Sequence, residues 1–267
     1  MKNVLSIAGS DCSGGAGIQA DLKTFSANGV FGMSVIVAVV AENTSRVISV
    51  ENVSPSMIEA QIDAVFEDID VHAVKIGMLS TPECMEAVAK KLEEYKPNHV
   101  VIDPVMYAKN GCPLMEEQSL DTLIQRIIPL ADVVTPNIPE AEKMTGMQID
   151  SIEMMEQAAK RIVEMGCKGV IIKGGHREGS ALDVLYDGNE FTHFETKRVP
   201  TKNTHGTGCT FSAAIASQLA QDLSLAKAVG VAKTYVTSAI THGLEIGKGC
   251  GPTNHFYELY KKAGMIK

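Results

Sequence analysis

A run of glycine, threonine and cysteine near residue 205 has the residue types and spacing that point most clearly to chemistry. It reads Asn203-Thr204-His205-Gly206-Thr207-Gly208-Cys209-Thr210 and leads directly into a helical pattern. A glycine turn that enters a helix leaves backbone N–H groups unpaired, and the helix dipole adds positive potential at that point. The turn therefore predicts an anion site, suited to stabilising charge on a phosphoryl group during its transfer.

Cys209 is the residue of this turn that could take part in acid–base chemistry. A free cysteine has a pKa of about 8.5, and a helix start is expected to lower that value because it favours the thiolate. We therefore predict that Cys209 is a general base. The alternative is a small buried apolar residue, as most free cysteines are. His205 is the other titratable group, and it is equally suited to bonding the backbone of the loop.

Three charged residues follow or end predicted strands and are candidates for holding a phosphorylated ligand. Asp103 and Glu140 offer carboxylate oxygens, which suit Mg²⁺ bound directly or through water. In open α/β sheets, ligands collect beyond the carboxyl ends of the strands. Capping of a helix start is the alternative role for Glu140. Lys173 ends a strand just before Gly174, where its ammonium could reach a nucleotide phosphate.

A second glycine loop, between the first predicted strand and helix, permits a different function. Gly15-x-Gly17-x-x-Ala20 fits the pattern of dinucleotide-binding loops, and Glu42 follows the next strand, where such proteins hold a ribose. An NAD-dependent oxidoreductase is therefore one alternative. Gly15 comes seven residues after Ala8, however, whereas the fingerprint places its first glycine directly after the strand. A flexible connection is the simpler interpretation.

The hydrophobic pattern predicts the elements that position these residues. Short runs rich in Val and Ile alternate with stretches of helical period, which is typical of a mostly parallel sheet covered by helices. Strands are predicted at residues 4–8, 35–41, 71–76, 99–103, 133–135 and 170–173, with a hairpin at 182–186 and 191–194 as an antiparallel edge. Capping residues predict helix starts at Ser54, Thr81 and Ser151, and residues 208–243 predict two helices. Without a linker or repeat, residues 1–267 are expected to form one domain.

Charge and apolar patterning exclude several classes of protein. The chain has 24 basic and 32 acidic residues, a net charge of −8, and no run of Lys or Arg, so no nucleic-acid partner is expected. The longest apolar run, at 35–41, is far shorter than the roughly 18 residues of a membrane helix. The first residues lack a signal-peptide core, and six scattered cysteines show no metal-binding or paired spacing. We expect a cytoplasmic protein with free thiols and no membrane partner.

Taken in order, these motifs resemble those of the hydroxymethylpyrimidine/phosphomethylpyrimidine kinases of thiamine synthesis, a family of the ribokinase-like superfamily. The resemblance covers nearly the whole chain. The segments that carry it are Ala8-Gly9-Ser10-Asp11, Gly17-Ile18-Gln19-Ala20-Asp21-Leu22-Lys23-Thr24, Gly77-Met78-Leu79, Asp103-Pro104-Val105-Met106, Thr135-Pro136-Asn137-Ile138-Pro139-Glu140, Lys173-Gly174-Gly175-His176 and Thr204-His205-Gly206-Thr207-Gly208-Cys209-Thr210.

The resemblance implies a three-layer α/β/α sandwich with a mostly parallel central sheet, ATP and Mg²⁺ at its carboxyl edge, and a homodimer. It implies phosphorylation of a small hydroxymethylpyrimidine and then of the monophosphate. By position, the pyrimidine would be surrounded by Gly9, Asp21, Glu42, Met78 and Val105, with Cys209 facing its hydroxymethyl group. Mg²⁺ would be held by Asp103 and Glu140, and ATP and the transferring phosphoryl group by Asn137, Lys173, Gly206, Thr207 and Gly208.

Glu42 departs from the family pattern, which usually has glutamine at this position. A carboxylate only accepts hydrogen bonds, whereas an amide also donates. We expect Glu42 to bind the amino group of the pyrimidine and to need a protonated ring nitrogen or a bridging water for a second contact. Binding is then expected to weaken as the pH rises.

A comparison with related pyridoxal kinases gives a second alternative. These enzymes place a lid cysteine directly before a lysine, where this chain has Ala108 before Lys109 and Cys112 out of register. Residues 108–113, with Asn110-Gly111, predict a flexible lid over the site. A pyrimidine or pyridoxal kinase, an oxidoreductase and a non-catalytic nucleotide- or vitamin-binding protein therefore stand as hypotheses, and the turn that contains Cys209 favours the kinase.

Overall fold

The centre of the protein is a mixed β-sheet. The computed structural model describes residues 1–108, 111–116, 118–175 and 181–266. The strands are β1 (Asn3–Asp11), β2 (Phe31–Asn43), β3 (Arg46–Asn52), β4 (Ala73–Ile76), β5 (Val100–Ile102), β6 (Val133–Val134), β7 (Val170–Lys173), β8 (Ala181–Tyr186) and β9 (Phe191–Thr196). Among the described residues they form one sheet in the order β3-β2-β1-β4-β5-β6-β7-β8-β9. The six strands from β2 to β7 in this order are parallel, and β3, β8 and β9 pair antiparallel.

The helices begin where the capping residues predict. They are α1 (Gly17–Ala27), α2 (Pro55–Phe66), α3 (Pro82–Tyr95), α4 (Ser119–Thr122), α5 (Ile138–Thr145), α6 (Ile152–Val163), α7 (Thr207–Ala220), α8 (Leu225–Thr241) and α9 (Tyr257–Lys262). The side chains of Ser54, Thr81 and Ser151 each accept a backbone N–H at the start of α2, α3 and α6. Such a cap is worth about 1 kcal/mol, so the local sequence fixes these helix starts.

Helices cover both faces of the sheet. Because successive strand residues point to opposite faces, Leu5 and Ile7 of β1 belong to a core with α2, α3 and α6. Val4, whose side chain points to the opposite face of the sheet, belongs to a second core with α1, α7 and α8. The predicted three-layer α/β/α arrangement, with a mostly parallel sheet, is therefore confirmed, as is the antiparallel edge formed by β8 and β9.

Strand β3 is the element that the sequence analysis missed. It pairs antiparallel with β2 and forms the other edge of the sheet. β2 itself ends at Asn43, two residues beyond its predicted end. Most of its residues are exposed, among them Ile48 and Val50. A strand with so little burial has neither a long apolar run nor a clear alternation of apolar and polar residues, and these are the patterns from which strands are predicted.

The topology places the site at one edge of the sheet. β1 lies between β2 and β4, so the chain leaves β1 in one direction and then continues in the other. Such a switch point opens a crevice beyond the carboxyl ends of the strands. Lys109, Asn110 and His176, which belong to the predicted lid and the predicted motifs, lie outside the described residues. No helix in the described ranges combines the length and apolar character needed to span a membrane.

Candidate active site

A cavity of about 620 Å³ lies at the carboxyl edge of the sheet. The residues that line it come from segments far apart in the sequence. The predicted site residues that line it are Gly9, Glu42, Met78, Asp103, Val105, Asn137, Glu140, Lys173, Gly206, Thr207, Gly208 and Cys209. Of the predicted set, only Asp21 is not among the residues that line the cavity.

Asp21 is fully buried beneath the cavity floor. Its Oδ2 accepts bonds from the Ser6 hydroxyl at 2.6 Å and from the Lys75 ammonium at 2.8 Å. Lys75 lines the cavity, whereas Asp21 does not. Sequence analysis did not single out Lys75. The signal was present, because a lysine inside the apolar strand β4 needs a buried acidic partner.

The Lys173 ammonium and the Asp103 carboxylate meet at one end of the cavity. Lys173 Nζ lies 2.8 Å from Asp103 Oδ1, which also accepts the Thr135 hydroxyl at 3.0 Å. Burial would raise the pKa of Asp103, but the ammonium groups of Lys173 and Lys75 hold it below its usual value. A Cβ on Gly208 would lie 3.1 Å from Asp103 Oδ2 and 3.4 Å from Lys173 Nζ. Glycine at this position therefore lets the start of α7 approach the ion pair closely.

Asn137 and Glu140 form a capping box at the start of α5. The Asn137 side chain accepts the N–H of Glu140 at 2.9 Å, and Glu140 Oε2 accepts the N–H of Asn137 at 2.8 Å. Glu140 also accepts the N–H of Met106, yet burial raises its pKa to about 7. The capping role of Glu140 is thus confirmed, while its role in holding a metal stays a prediction.

The turn before α7 has the geometry of an anion site. Gly206 is the N-cap, with φ of 76°. The N–H of Thr207 donates to the carbonyl O of Thr204, and the N–H of Thr210 donates to the carbonyl O of Gly206. No acceptor in the described part of the chain takes the N–H of Gly208 or Cys209, the two residues between them. Those two donors remain for a ligand in the cavity. The Thr207 hydroxyl is directed to the Thr204 carbonyl, so its contact with ATP stays a prediction.

The thiol of Cys209 differs from the prediction made on the helix start. Burial raises its pKa to about 11, the charge of Lys75 opposes that rise, and the charges of Asp21 and Asp103 add to it. The prediction of a lowered pKa was wrong, because desolvation of a thiolate outweighs the partial charge of a helix start. At pH 7, roughly one thiol in 10⁴ is ionised without a ligand. Cys209 can therefore accept a proton only in this minor form.

Glu42 also lines the cavity, beside Asp11 and His205. His205 Nε2 lies 2.8 Å from Asp11 Oδ2, and this carboxylate also accepts the N–H groups of Gly15 and Ala16. Burial would raise the pKa of Asp11, but the bonds from His205 and its other donors hold it well below its usual range. Burial and the charge of Asp11 raise the pKa of Glu42 to about 7, which His205 only partly offsets. Near neutral pH, Glu42 is divided between acid and carboxylate forms.

The glycine loop after β1 has a packing explanation. A Cβ on Gly15 would lie 2.4 Å from the His205 ring, and one on Gly17 would lie 2.4 Å from the carbonyl O of Gly9. Both glycines are needed for close contacts within the protein. The dinucleotide pattern that suggested an NAD-dependent enzyme is therefore accounted for by the close approach of Gly15 to His205 and of Gly17 to the end of β1.

Comparison with known proteins identifies the relatives of this chain. A model of the family described as phosphomethylpyrimidine kinase matches residues 11–254. The hydroxymethylpyrimidine/phosphomethylpyrimidine kinase of Haemophilus influenzae is 49% identical over 96% of this chain and 97% of its own length. The thiamine biosynthesis bifunctional protein ThiED of Geobacter sulfurreducens is also 49% identical over 95% of this chain, which spans only 52% of that protein.

Solved structures agree with this result. The phosphomethylpyrimidine kinase of Clostridium difficile has a TM-score of 0.82 and 46% identity, with 90% of this chain and 100% of that chain covered. The ADP complex of Bacillus subtilis pyridoxal kinase has a TM-score of 0.90 and 39% identity, with 96% and 98% covered. These similarities confirm the predicted ribokinase-like fold class.

Proposed function

This chain belongs to the phosphomethylpyrimidine kinase family, and from that premise we propose that it phosphorylates 4-amino-5-hydroxymethyl-2-methylpyrimidine and then its monophosphate for thiamine biosynthesis, with ATP as donor. The observation that carries the proposal is that one cavity is lined both by groups suited to a phosphate and by groups suited to a pyrimidine ring. The unpaired N–H groups of Gly208 and Cys209 belong to the turn that approaches the Asp103–Lys173 pair, and Glu42 lines the same cavity. Phosphate chemistry and ring recognition are thus combined in a single pocket.

The proposed reaction is an in-line phosphoryl transfer. The hydroxymethyl oxygen of the pyrimidine forms a bond to the γ-phosphorus of ATP, the bond from that phosphorus to the bridging oxygen breaks, and ADP leaves. Cys209, as thiolate, takes the hydroxyl proton. The N–H groups of Gly208 and Cys209 and the Lys173 ammonium donate to the phosphoryl oxygens. Gly9, Met78 and Val105 are proposed to hold the ring, and Asn137 and Thr207 to contact ATP.

The residues beside Lys173 suit a magnesium ion, which is part of the proposal. Asp103 Oδ1 is engaged by Lys173 and Thr135, while its Oδ2 faces Gly208. The Glu140 carboxylate holds two backbone N–H groups, so it would reach an ion through water. When bound, Mg²⁺ would neutralise charge on the phosphates of ATP.

Pyridoxal is the second candidate substrate, since pyridoxal kinases are among the structural neighbours. The test measures Mg²⁺-dependent ADP release with the hydroxymethylpyrimidine, its monophosphate or pyridoxal, and identifies each product by mass. We expect turnover of both pyrimidines. Turnover of pyridoxal alone would assign the protein to vitamin B6 salvage. If none of the three compounds causes ADP release but one of them raises the temperature of thermal unfolding, the result would favour a binding protein.

The pH dependence of pyrimidine binding is expected to arise from Glu42. With a pKa near 7, its acid form at low pH both donates and accepts hydrogen bonds, whereas the carboxylate at high pH only accepts. The KM for the pyrimidine should therefore rise by about tenfold between pH 6 and pH 8.5, as one hydrogen bond is lost. The acid form of Glu42 would thus supply the second contact for which the sequence predicted a protonated ring nitrogen or a bridging water.

The Glu42→Gln variant is the control, because an amide donates and accepts at every pH. Its KM should stay constant over the same range. Asp11 and His205 are the charged groups that face Glu42. An equal rise of KM in the variant would show that Glu42 is not the cause.

A homodimer, a cytoplasmic location and a single domain complete the proposal. The exposed apolar side chains of Ile48 and Val50, 62% and 40% accessible on the edge strand β3, support contact with a second copy. The six free cysteines are consistent with a reducing compartment.

The proposed dimer is tested by light scattering. We expect the wild type to give twice the chain mass of 28.6 kDa, and Ile48→Lys to give the mass of the monomer. A monomeric wild type would contradict the dimer.

A further inference from the structure

The turn before α7 is fixed by a segment that the proposed reaction does not use. This segment, residues 251–255, is called the C-terminal clamp below. The N–H of His205 donates to the carbonyl O of Gly251 at 3.0 Å, and the N–H of Thr253 donates to the carbonyl O of His205 at 3.3 Å. Both backbone groups of His205 are therefore held by the clamp, directly before the N-cap Gly206.

The C-terminal clamp is itself anchored to α8. The N–H of Asn254 donates to the carbonyl O of Ala239 at 2.9 Å, and the Tyr235 hydroxyl donates to the carbonyl O of His255 at 2.8 Å. Packing of α8 against α7 belongs to the hydrophobic core that also contains Val4. The C-terminal clamp is thus held to α8 by two hydrogen bonds.

Side chains continue the contact into the first turn of α7. The Thr210 hydroxyl donates to the carbonyl O of Gly206 at 2.8 Å, and its oxygen lies 3.1 Å from His255 Nε2 and 3.3 Å from the Thr253 hydroxyl. Thr210 and Thr253 are fully buried, and His255 is 6% exposed. A buried polar cluster of this kind must satisfy its bonds internally, so its geometry is closely constrained.

The direction of each hydrogen bond follows from counting protons. The Thr210 hydroxyl has one hydrogen, which is used on Gly206, so its oxygen can only accept a further bond. His255 Nε2 lies 3.1 Å from that oxygen and 3.4 Å from the Thr253 oxygen, so it faces two hydroxyl oxygens. Burial lowers the pKa of His255 to about 4, helped by the charge of Lys23. The imidazole is therefore neutral, and the bonding pattern assigns its single N–H to Nε2. His255 donates to Thr210, and Thr210 donates to Gly206.

We propose that His255 is a positioning residue for phosphoryl transfer, which acts through Thr210 to fix the peptide groups of the turn at Gly206. The inference rests on the proposed function. Gly206 accepts both the N–H and the hydroxyl of Thr210, so its carbonyl direction sets the orientation of the following peptides. Those peptides carry the N–H groups of Gly208 and Cys209, and displacement of such donors by about 1 Å can cost 10²-fold in rate.

The first test compares variants of His255. His255→Leu removes the donor, and we expect kcat to fall by about tenfold or more while the KM values for ATP and pyrimidine change less than about twofold. His255→Gln keeps a side-chain N–H and should recover most of the rate. A matched control is His242→Leu, because His242 bonds the carbonyl O of Ser238 and stacks on Tyr257 instead. Equal loss in both leucine variants would overturn the proposal.

The second test asks whether His255 acts through Thr210. Thr210→Val removes the hydroxyl, and Thr210→Ser keeps it. The double variant His255→Leu/Thr210→Val should have no lower kcat than Thr210→Val alone, since the two residues form one chain of bonds. Additive losses would show that His255 acts elsewhere. Thermal unfolding of every variant identifies any that fail to fold, and His255→Gln and Thr210→Ser then carry the comparison.

A third measurement separates this inference from the proposed function. Inorganic phosphate should stabilise the wild type against thermal unfolding by binding at the turn, and should stabilise His255→Leu less. This readout needs no substrate or turnover. If no substrate gave ADP release, the proposed function would be rejected, but the phosphate measurement would still test the role of His255. Equal phosphate stabilisation in both proteins, or none in the wild type, would reject the positioning role.

Discussion

Replacement of Cys209 by alanine is expected to lower kcat by about 10²-fold or more and to leave the KM for ATP nearly unchanged. The thiol lies where the hydroxymethyl group of the substrate is proposed to bind, and its removal takes away the group that receives the proton. The ring and the nucleotide keep their own contacts, such as those at Glu42 and Lys173. Steady-state ADP release at saturating pyrimidine measures the effect. Turnover equal to that of the wild type would remove Cys209 from the mechanism.

The pH profile gives a second readout for this residue. Because burial raises the pKa of Cys209 to about 11, the thiolate fraction grows as the pH rises from 7 to 9. The kcat of the wild type should therefore increase over that range, and the kcat of Cys209→Ala should not. Cys167→Ala is the matched control: Cys167 is buried in a hydrophobic core away from the cavity, with its pKa also raised by burial to about 12. Its kcat should match the wild type at each pH.

Replacement of Gly206 by alanine is expected to abolish most activity and to lower the free energy of unfolding by about 2–4 kcal/mol. Gly206 has φ of 76°, which L side chains rarely adopt, and a Cβ there would lie 1.8 Å from the carbonyl O of Gly15. The contact is with backbone, so neither side can yield without moving the loop after β1. Since the turn carries the N–H groups proposed to hold the phosphoryl group, kcat should fall by about 10²-fold.

Gly29→Ala separates the two causes of this loss. Gly29 has nearly the same φ, 78°, but no atom lies within 4 Å of the place its Cβ would take. This variant should lose only about 1 kcal/mol of stability from backbone strain and keep the wild-type kcat. Chemical denaturation and ADP release measured on both proteins make the comparison. If Gly206→Ala behaved like Gly29→Ala, the close approach to Gly15 would not be essential to the site.

Local sequence was sufficient for most of the fold. Short runs rich in Val and Ile predicted the six parallel strands of the sheet, and Ser54, Thr81 and Ser151 predicted where three helices begin, because apolar runs and caps act over a few residues. Asp103 and Lys173 were each predicted to lie beyond or at a strand end, and in the structure they form an ion pair, since parallel strands bring their carboxyl ends to one edge. The exposed strand β3 was missed because it buries too little to leave a pattern.

By itself, therefore, the sequence determined the elements, their order, the glycine turn and the family resemblance that relatives confirm. Only the tertiary structure decided the state of the groups within the site. Cys209 has a raised pKa because residues from other strands desolvate it, and Asp21 is engaged by Lys75, 54 positions away. His255 reaches Thr210 across 45 positions. Burial and pairing depend on distances between segments that no local pattern records, so the chemistry of these side chains follows from packing.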